Sequence, residues 1–334
     1  NINMAYTDID DPSAYFQTKL YTGTNNELVL TFDGNSDLQT DMIWTKNRSR
    51  ASTNHVLSDT VRGIGKGLYP DLTNTEGDTN YVSAIGSDGY TIVATDSVEI
   101  NRDDDTFVSW NWKEQAGVFD IVSYTGNATS GATISHNLGV VPTMMIVKCR
   151  SVDGTNWIVY TAATGNTHWQ YLNATNAASA NSAAWNNTSP TASVFSLGND
   201  GDVNGDGRTY IAYLFGNKQG MSKVGSYIGN GNADGTFIYT GFKSAFLIVK
   251  NTTEAGNGWQ IFDNKRDTFN VATSTLFSNL NNAEGTDTSF DVLSNGIKMK
   301  QGFGSKNKNA NVYIYMAFAE QPLVTSTGVP ATAR

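Results

Sequence analysis

The sequence is poor in the residues that carry most chemistry. It holds one cysteine, three histidines and six prolines, and charged residues make up 16% of its 334 positions. With only Cys149 no intrachain disulfide can form, and its place in an apolar run reads as a buried free thiol. His55, His136 and His168 have no partner at a metal-like spacing, and no nucleophile–base pair is visible. The reading is therefore of a chain that is not an enzyme, with no catalytic, metal or cofactor-binding residue and no cofactor. No apolar run approaches the roughly 20 residues that span a bilayer, and no basic and apolar leader precedes the first repeated phrase, so no membrane insertion is expected.

What is abundant is Gly, Asn, Ser and Thr, which suits short strands joined by turns, so the expected class is all-β. The net charge of −9 lies almost wholly within residues 1–117, which hold 18 acidic against 8 basic residues. An acidic face repels phosphate backbones, which argues against nucleic acid as a partner. Lys298, Lys300, Lys306 and Lys308 form a modest basic cluster, read as a solvated hairpin or else as a contact to an anionic surface.

Three phrases recur in one order. Thr18-Lys-Leu-Tyr-Thr-Gly23, Asp120-Ile-Val-Ser-Tyr-Thr-Gly126 and Val224-Gly-Ser-Tyr-Ile-Gly229 place Tyr21, Tyr124 and Tyr227 at steps of 103 residues. Apolar runs ending on Lys46, Lys148 and Lys250 follow at steps of 102. Each unit closes on an aromatic phrase, 107–112, 210–215 and 313–318. The expectation is three tandem β repeats of about 100 residues. They span 16–115 (acidic), 118–219 and 222–321, between an N-terminal arm (1–15) and an extended C-terminal tail (322–334) that docks on a neighbouring surface.

The consecutive apolar residues Met42 to Trp44, Met144 to Val147 and Phe246 to Val249 suit central strands covered on both faces. Ile43, Ile146, Ile211, Ile248 and Ile314 are expected in the core. The lysine after each run reads as a snorkelling side chain at a strand end. His55 stands where the other units have Trp157 and Trp259, so it reads as an aromatic body without proton work. Asp59 with Arg62, and Asp263 with Arg266, read as loop-pinning pairs. The segments 16–21 and 28–32 read as a hairpin, as does 225–235, and 174–193 reads as a long surface loop. Asp202-Val-Asn-Gly-Asp206-Gly207 imitates the start of a calcium loop but has Tyr213 where a bidentate Glu belongs.

Beyond the repeats, Asp11-Pro-Ser-Ala-Tyr-Phe16, Asp41-Met-Ile-Trp-Thr-Lys-Asn-Arg48, Gly225-Ser-Tyr-Ile-Gly-Asn-Gly231, Tyr313-Ile-Tyr-Met-Ala-Phe-Ala-Glu320 and the tail resemble a family of repeat-containing virion proteins of marine tailed bacteriophages. The resemblance implies lectin-like β-sandwich repeats in a tail-fibre or capsid-associated virion protein, present in multiple copies and assembled in the host cytoplasm. The expected partners are other virion proteins, capsid or tail subunits, and, for an adhesive module, host surface glycans. Capsid decoration and glycan cleavage are the competing functions, and the resemblance supplies no ligand-binding residue.

Overall fold

The computed structural model describes residues 5–332. Of the expected arm and tail, residues 1–4 and 333–334 lie outside the described residues. The recurring phrases become the strands of three antiparallel sheets built in one pattern. An opening strand (Phe16–Thr22, Phe119–Thr125, Ser222–Ile228) pairs with the closing strand (Thr106–Trp112, Thr209–Phe215, Val312–Pro322). The closing strand pairs with the lysine-bearing strand (Met42–Asn47, Met144–Cys149, Phe242–Asn251), which pairs with a short strand (Val56–Asp59, Trp157–Thr161, Gln260–Asp263). A smaller layer covers each sheet from outside. It is Leu28–Leu30 with Gly89–Ile92 and Val82–Gly86 in the first unit, Ala132–Ser135 with Val194–Leu197 in the second, and Phe237–Tyr239 with Gly296–Met299 in the third. The chain is all-β and sandwich-like.

Side chains alternate across a strand, so the consecutive apolar residues serve two different cores. Ile43, Met145 and Leu247 face the small sheet of their own unit, whereas Trp44, Ile146 and Ile248 enter one cluster common to all three. That cluster also takes Trp110 and Trp112, Tyr213 and Phe215, and Met316 and Phe318 from the closing strands. All five expected core isoleucines are buried.

One joint recurs in each unit. Tyr21 stacks on Phe107, Tyr124 on Tyr210 and Tyr227 on Tyr313, with ring centroids 4.9 to 5.0 Å apart. The three phenols donate to the carbonyls of Ile100, Val203 and Lys306. A buried Asn follows each carbonyl, and Asn101, Asn204 and Asn307 accept from backbone amides just past the opening strand at 2.9 to 3.1 Å. The glycine of each phrase is needed here, since a Cβ on Gly23, Gly126 or Gly229 would meet a carbonyl oxygen at 2.2 to 2.4 Å.

Several expectations are corrected. Neither expected hairpin forms, because Leu28–Leu30 and Phe237–Tyr239 leave the opening strand for the outer layer. The arm docks on its own chain. Ile9 joins the common core, Lys218 pairs with Asp8, and the Tyr6 hydroxyl donates to the Gly241 carbonyl at 2.6 Å. The tail turns back as a small hairpin, with Ala331 N donating to Leu323 O, and Asp10 accepts from Ser326 N at 2.6 Å. Arm and tail thus clasp each other. Within 174–193 a helical turn, Ser182–Trp185, drives Trp185 against Tyr160 in the second core. Mainly residues 186–193 remain a surface loop.

Because the units share a core, the chain is expected to unfold in one transition by both calorimetry and denaturant titration. Ile314→Ala should lower that single midpoint, costing about 2–5 kcal/mol. Residues 118–219 expressed alone should lack a fixed near-ultraviolet dichroism, because half of their sheet is uncovered. Three separable transitions would contradict the shared core.

Candidate functional site

The polar residues flagged by the repeat meet at the seams between units, and the seams close into a ring. Glu76 N donates to Arg150 O, Ala178 N to Thr252 O and Glu284 N to Arg48 O, joining unit one to two, two to three and three to one. The indoles of Trp157 and Trp259 donate to the carbonyls of Tyr69 and Tyr171 in the preceding unit. His55 fills the same role. Its Nδ1 accepts from the Trp44 indole at 2.9 Å, which leaves Nε2 to donate to Phe277 O at 2.9 Å. Burial pushes its pKa well down, so it works as a neutral donor where the other units use indole.

The three lysines do not snorkel. Lys46, Lys148 and Lys250 are fully buried, and their amines are consumed by loop oxygens. Lys148 Nζ donates to Thr155 O at 2.6 Å and across the seam to Thr73 O at 3.0 Å, while Lys250 repeats this on Asn257 O and Thr175 O. Lys46 stays within its unit, on Asn47 O and Thr53 Oγ1. Burial lowers each ammonium pKa to about 8. A strand-end lysine looked exposed in sequence because the covering loop belongs, in two cases, to another unit.

The loop-pinning pairs also reach across seams. Asp59 holds Arg62 and accepts from the Tyr213 hydroxyl at 2.6 Å, while Glu76 bridges Arg62 and Arg150. Asp263 holds Arg266 and accepts from the Trp110 indole at 2.9 Å, while Glu284 bridges Arg266 and Arg48. The seam from unit two to three has none of this. Thr161, Thr164, Ala178, Thr252 and Met316 occupy the corresponding places, so the charged groups and their partners are absent together. That is the pattern expected when one unpaired buried charge costs more than a whole missing network.

The remaining candidates are dispersed. His136 lies on the Thr191 carbonyl and His168 beside Thr167, and neither meets the other or a carboxylate. The calcium-like string forms the turn Gly201–Asn204 and turns Asn204 inward onto Thr129 O and Gly198 O, as the repeated joint requires. No group of three His, Cys, Asp or Glu suited to a metal occurs among the described residues. The basic cluster is neutralised residue by residue, through Asp234, Asp291, Asp287 and Glu254. One grouping was missed in sequence. Glu114 lies against Asp120 and near Asp41, and burial followed by those two negative charges pushes its pKa up to about 7. Both are engaged by backbone, Glu114 Oε1 by Ile121 N and Asp120 Oδ2 by Asn137 N.

The outer surface of the third unit is different. Among the described residues, every strongly exposed aromatic side chain belongs to it: Phe237, Tyr239, Phe269 and Phe303. Phe237 and Tyr239 share the outward face of an edge strand. Tyr239 lines a cleft of about 310 Å³ with Tyr6, Lys218, Gln219 and Lys223, where burial, reinforced by Tyr239, pushes the Tyr6 phenol up to about 12. A second, more open basin of about 530 Å³ surrounds Phe303 with Asp287, Lys300 and Gln301. Flat aromatic faces bordered by donors and acceptors can stack a ring and fix its polar rim.

Residues 11–322 match the family described as Domain of unknown function (DUF7483). The chain belongs to that family. No curated protein matches it. For this DUF7483 chain the match runs through all three sheets, so the closed ring is contained in the matched region.

Two measurements test the seams of this DUF7483 fold. Between about pH 8 and 10 the unfolded chain binds more protons at the three lysines than the folded chain does. Stability should therefore rise with pH across that window, and less steeply in Lys148→Met. Above about pH 10 the buried phenols of Tyr21, Tyr124 and Tyr227, whose pKa burial raises, act in the opposite direction. A denaturation midpoint that falls from pH 8 to 10 would contradict this. Separately, Glu76→Gln leaves Arg150 without a counter-charge and the buried Arg62 with Asp59 alone, and should cost about 2–4 kcal/mol. Glu254→Gln, in an exposed pair with Lys308, should leave the denaturation midpoint unchanged.

Proposed function

We propose that the chain is a non-enzymatic structural and adhesive module on a virion surface, of the tail-fibre or capsid-associated kind, that presents its third unit to host surface glycans. The observation that carries this reading is the uneven surface. Buried charge is spent on holding three units together, whereas exposed aromatic residues gather on one of them. An exposed aromatic ring gives up the burial that would stabilise the fold, and four such rings on a single unit support a recognition role for that unit. The excess acid of residues 1–117 suits a basic patch on a capsid or tail subunit, leaving the third unit outward. Capsid decoration without adhesion is the second reading, favoured by that same acidic end. Glycan cleavage has in its favour the Glu114–Asp120 pair alone, and both carboxylates are engaged by backbone amides.

Cryo-electron microscopy of particles, with an antibody fragment against the third unit as a marker, tests the placement. The marker is expected on the outer surface, and purified chain is expected to bind host cells and compete with particle attachment. A particle without the protein would overturn the virion reading. An accessible third unit with no cell binding would leave decoration as the function.

A further inference from the structure

In each unit the turn that carries the buried Asn starts at one residue whose carbonyl accepts two amides. Ser97 O accepts from Ile100 N and Asn101 N, Asp200 O from Val203 N and Asn204 N, and Phe303 O from Lys306 N and Asn307 N. This is a helix-cap position, where a side-chain oxygen satisfies a free amide of the first turn. Ser97 Oγ accepts from Glu99 N, and Asp200 Oδ1 from Asp202 N. Phe303 has no such oxygen. It does not pack either, being 73% exposed. Folding thus gains neither a cap nor burial from the phenyl ring, while the other two units show residues that provide the cap.

The surroundings of the ring are ordered. The Asp287 carboxylate accepts from the fully buried Lys306 Nζ at 2.7 Å and from Gln301 Nε2 at 3.2 Å, yet its side chain remains 45% exposed. Lys300 adds a half-exposed ammonium, shared with Asp291. The floor is bare backbone, since Gly231 O would lie 2.3 Å from a Cβ on Gly302. A flat apolar face therefore stands beside a fixed acceptor and a donor in an open basin of about 530 Å³. An apolar protein partner would find one ring in polar surroundings, and an acidic ligand would meet the Asp287 carboxylate. A pyranose has what fits, namely a face of C–H bonds for the ring and a rim of hydroxyls for the carboxylate.

We propose that Phe303 is the stacking platform of a saccharide subsite on the third unit, with Asp287 accepting from ring hydroxyls and the ligand a neutral or N-acetylated hexose within a glycan. The proposal rests on the adhesive reading above and gives it a location. Saturation-transfer NMR with free hexoses and N-acetylhexosamines, each alone, is the direct test, alongside a glycan array probed with the same protein. The full chain should transfer saturation to the C–H protons of at least one sugar. Phe303→Ser, which restores the unit-one cap, should weaken binding about tenfold or more with a melting temperature unchanged or raised. Phe303→Trp should retain binding, and Asp287→Asn should weaken it. Undiminished sugar and array binding by Phe303→Ser would overturn the subsite while leaving adhesion to another surface of the molecule. Failure of the unaltered chain to bind any glycan on the array would overturn the adhesive reading itself, and the subsite with it.

Discussion

A strand that is apolar on both faces must be covered on both, and the arrangement of this molecule follows from meeting that demand three times at once. Each lysine-bearing strand uses one face for its own small sheet and the other for a core to which all three units contribute. Five of the seven tryptophans lie in that common core, so the largest apolar surfaces are shared rather than private. Removing one unit would expose the inner faces of the other two. The repeats are thus legible as separate phrases but stabilised as one body.

Sharing a core imposes a second condition, because the strand ends and loops that meet at the seams bring polar groups with them. Such groups need partners, and many find them in the next unit. The amide and indole donors do so in cyclic order, with His55 standing in for an indole on the third seam. The ionic networks show how strict the condition is. Where unit two has Thr161 and Thr164 in place of Asp and Arg, unit three offers Met316 in place of the Tyr213 or Trp110 donor. The chain carries whole networks or none.

The sequence made the strands, their repeat and the two-sided central strands readable, since period and composition act over a few residues. It did not show what lies on the far side of a strand. Lys46, Lys148 and Lys250 looked like strand-end cations, and their burial depends on loops 75 residues away in two cases and on Thr53 in the third. The supposed hairpins failed for a related reason. Turn chemistry at 23–26 and 229–235 specifies a change of direction, but the Tyr–Asn joint that sends the chain to the outer layer requires Ile100 to Asn101 and Lys306 to Asn307, far along the sequence. Asn204 was visible only as part of a calcium-like string. The common 103-residue step of Asn101, Asn204 and Asn307 could have identified it as a structural residue.

Once the joint and the seams are satisfied, the positions outside them are released to differ among the units. Unit two folds Trp185 down over its own core, and unit one accumulates acid. Unit three leaves Phe237, Tyr239, Phe269 and Phe303 uncovered. The cap position shows this most directly, because the backbone there is the same in all three units: two amides close on one carbonyl whether the residue is Ser97, Asp200 or Phe303. A fixed backbone with a variable side chain isolates what the side chain alone contributes. In two units that contribution is local hydrogen bonding. In the third it is an exposed aromatic face that the common frame holds in place and whose loss the frame would tolerate, which is the condition under which a surface residue can be retained for binding rather than for folding.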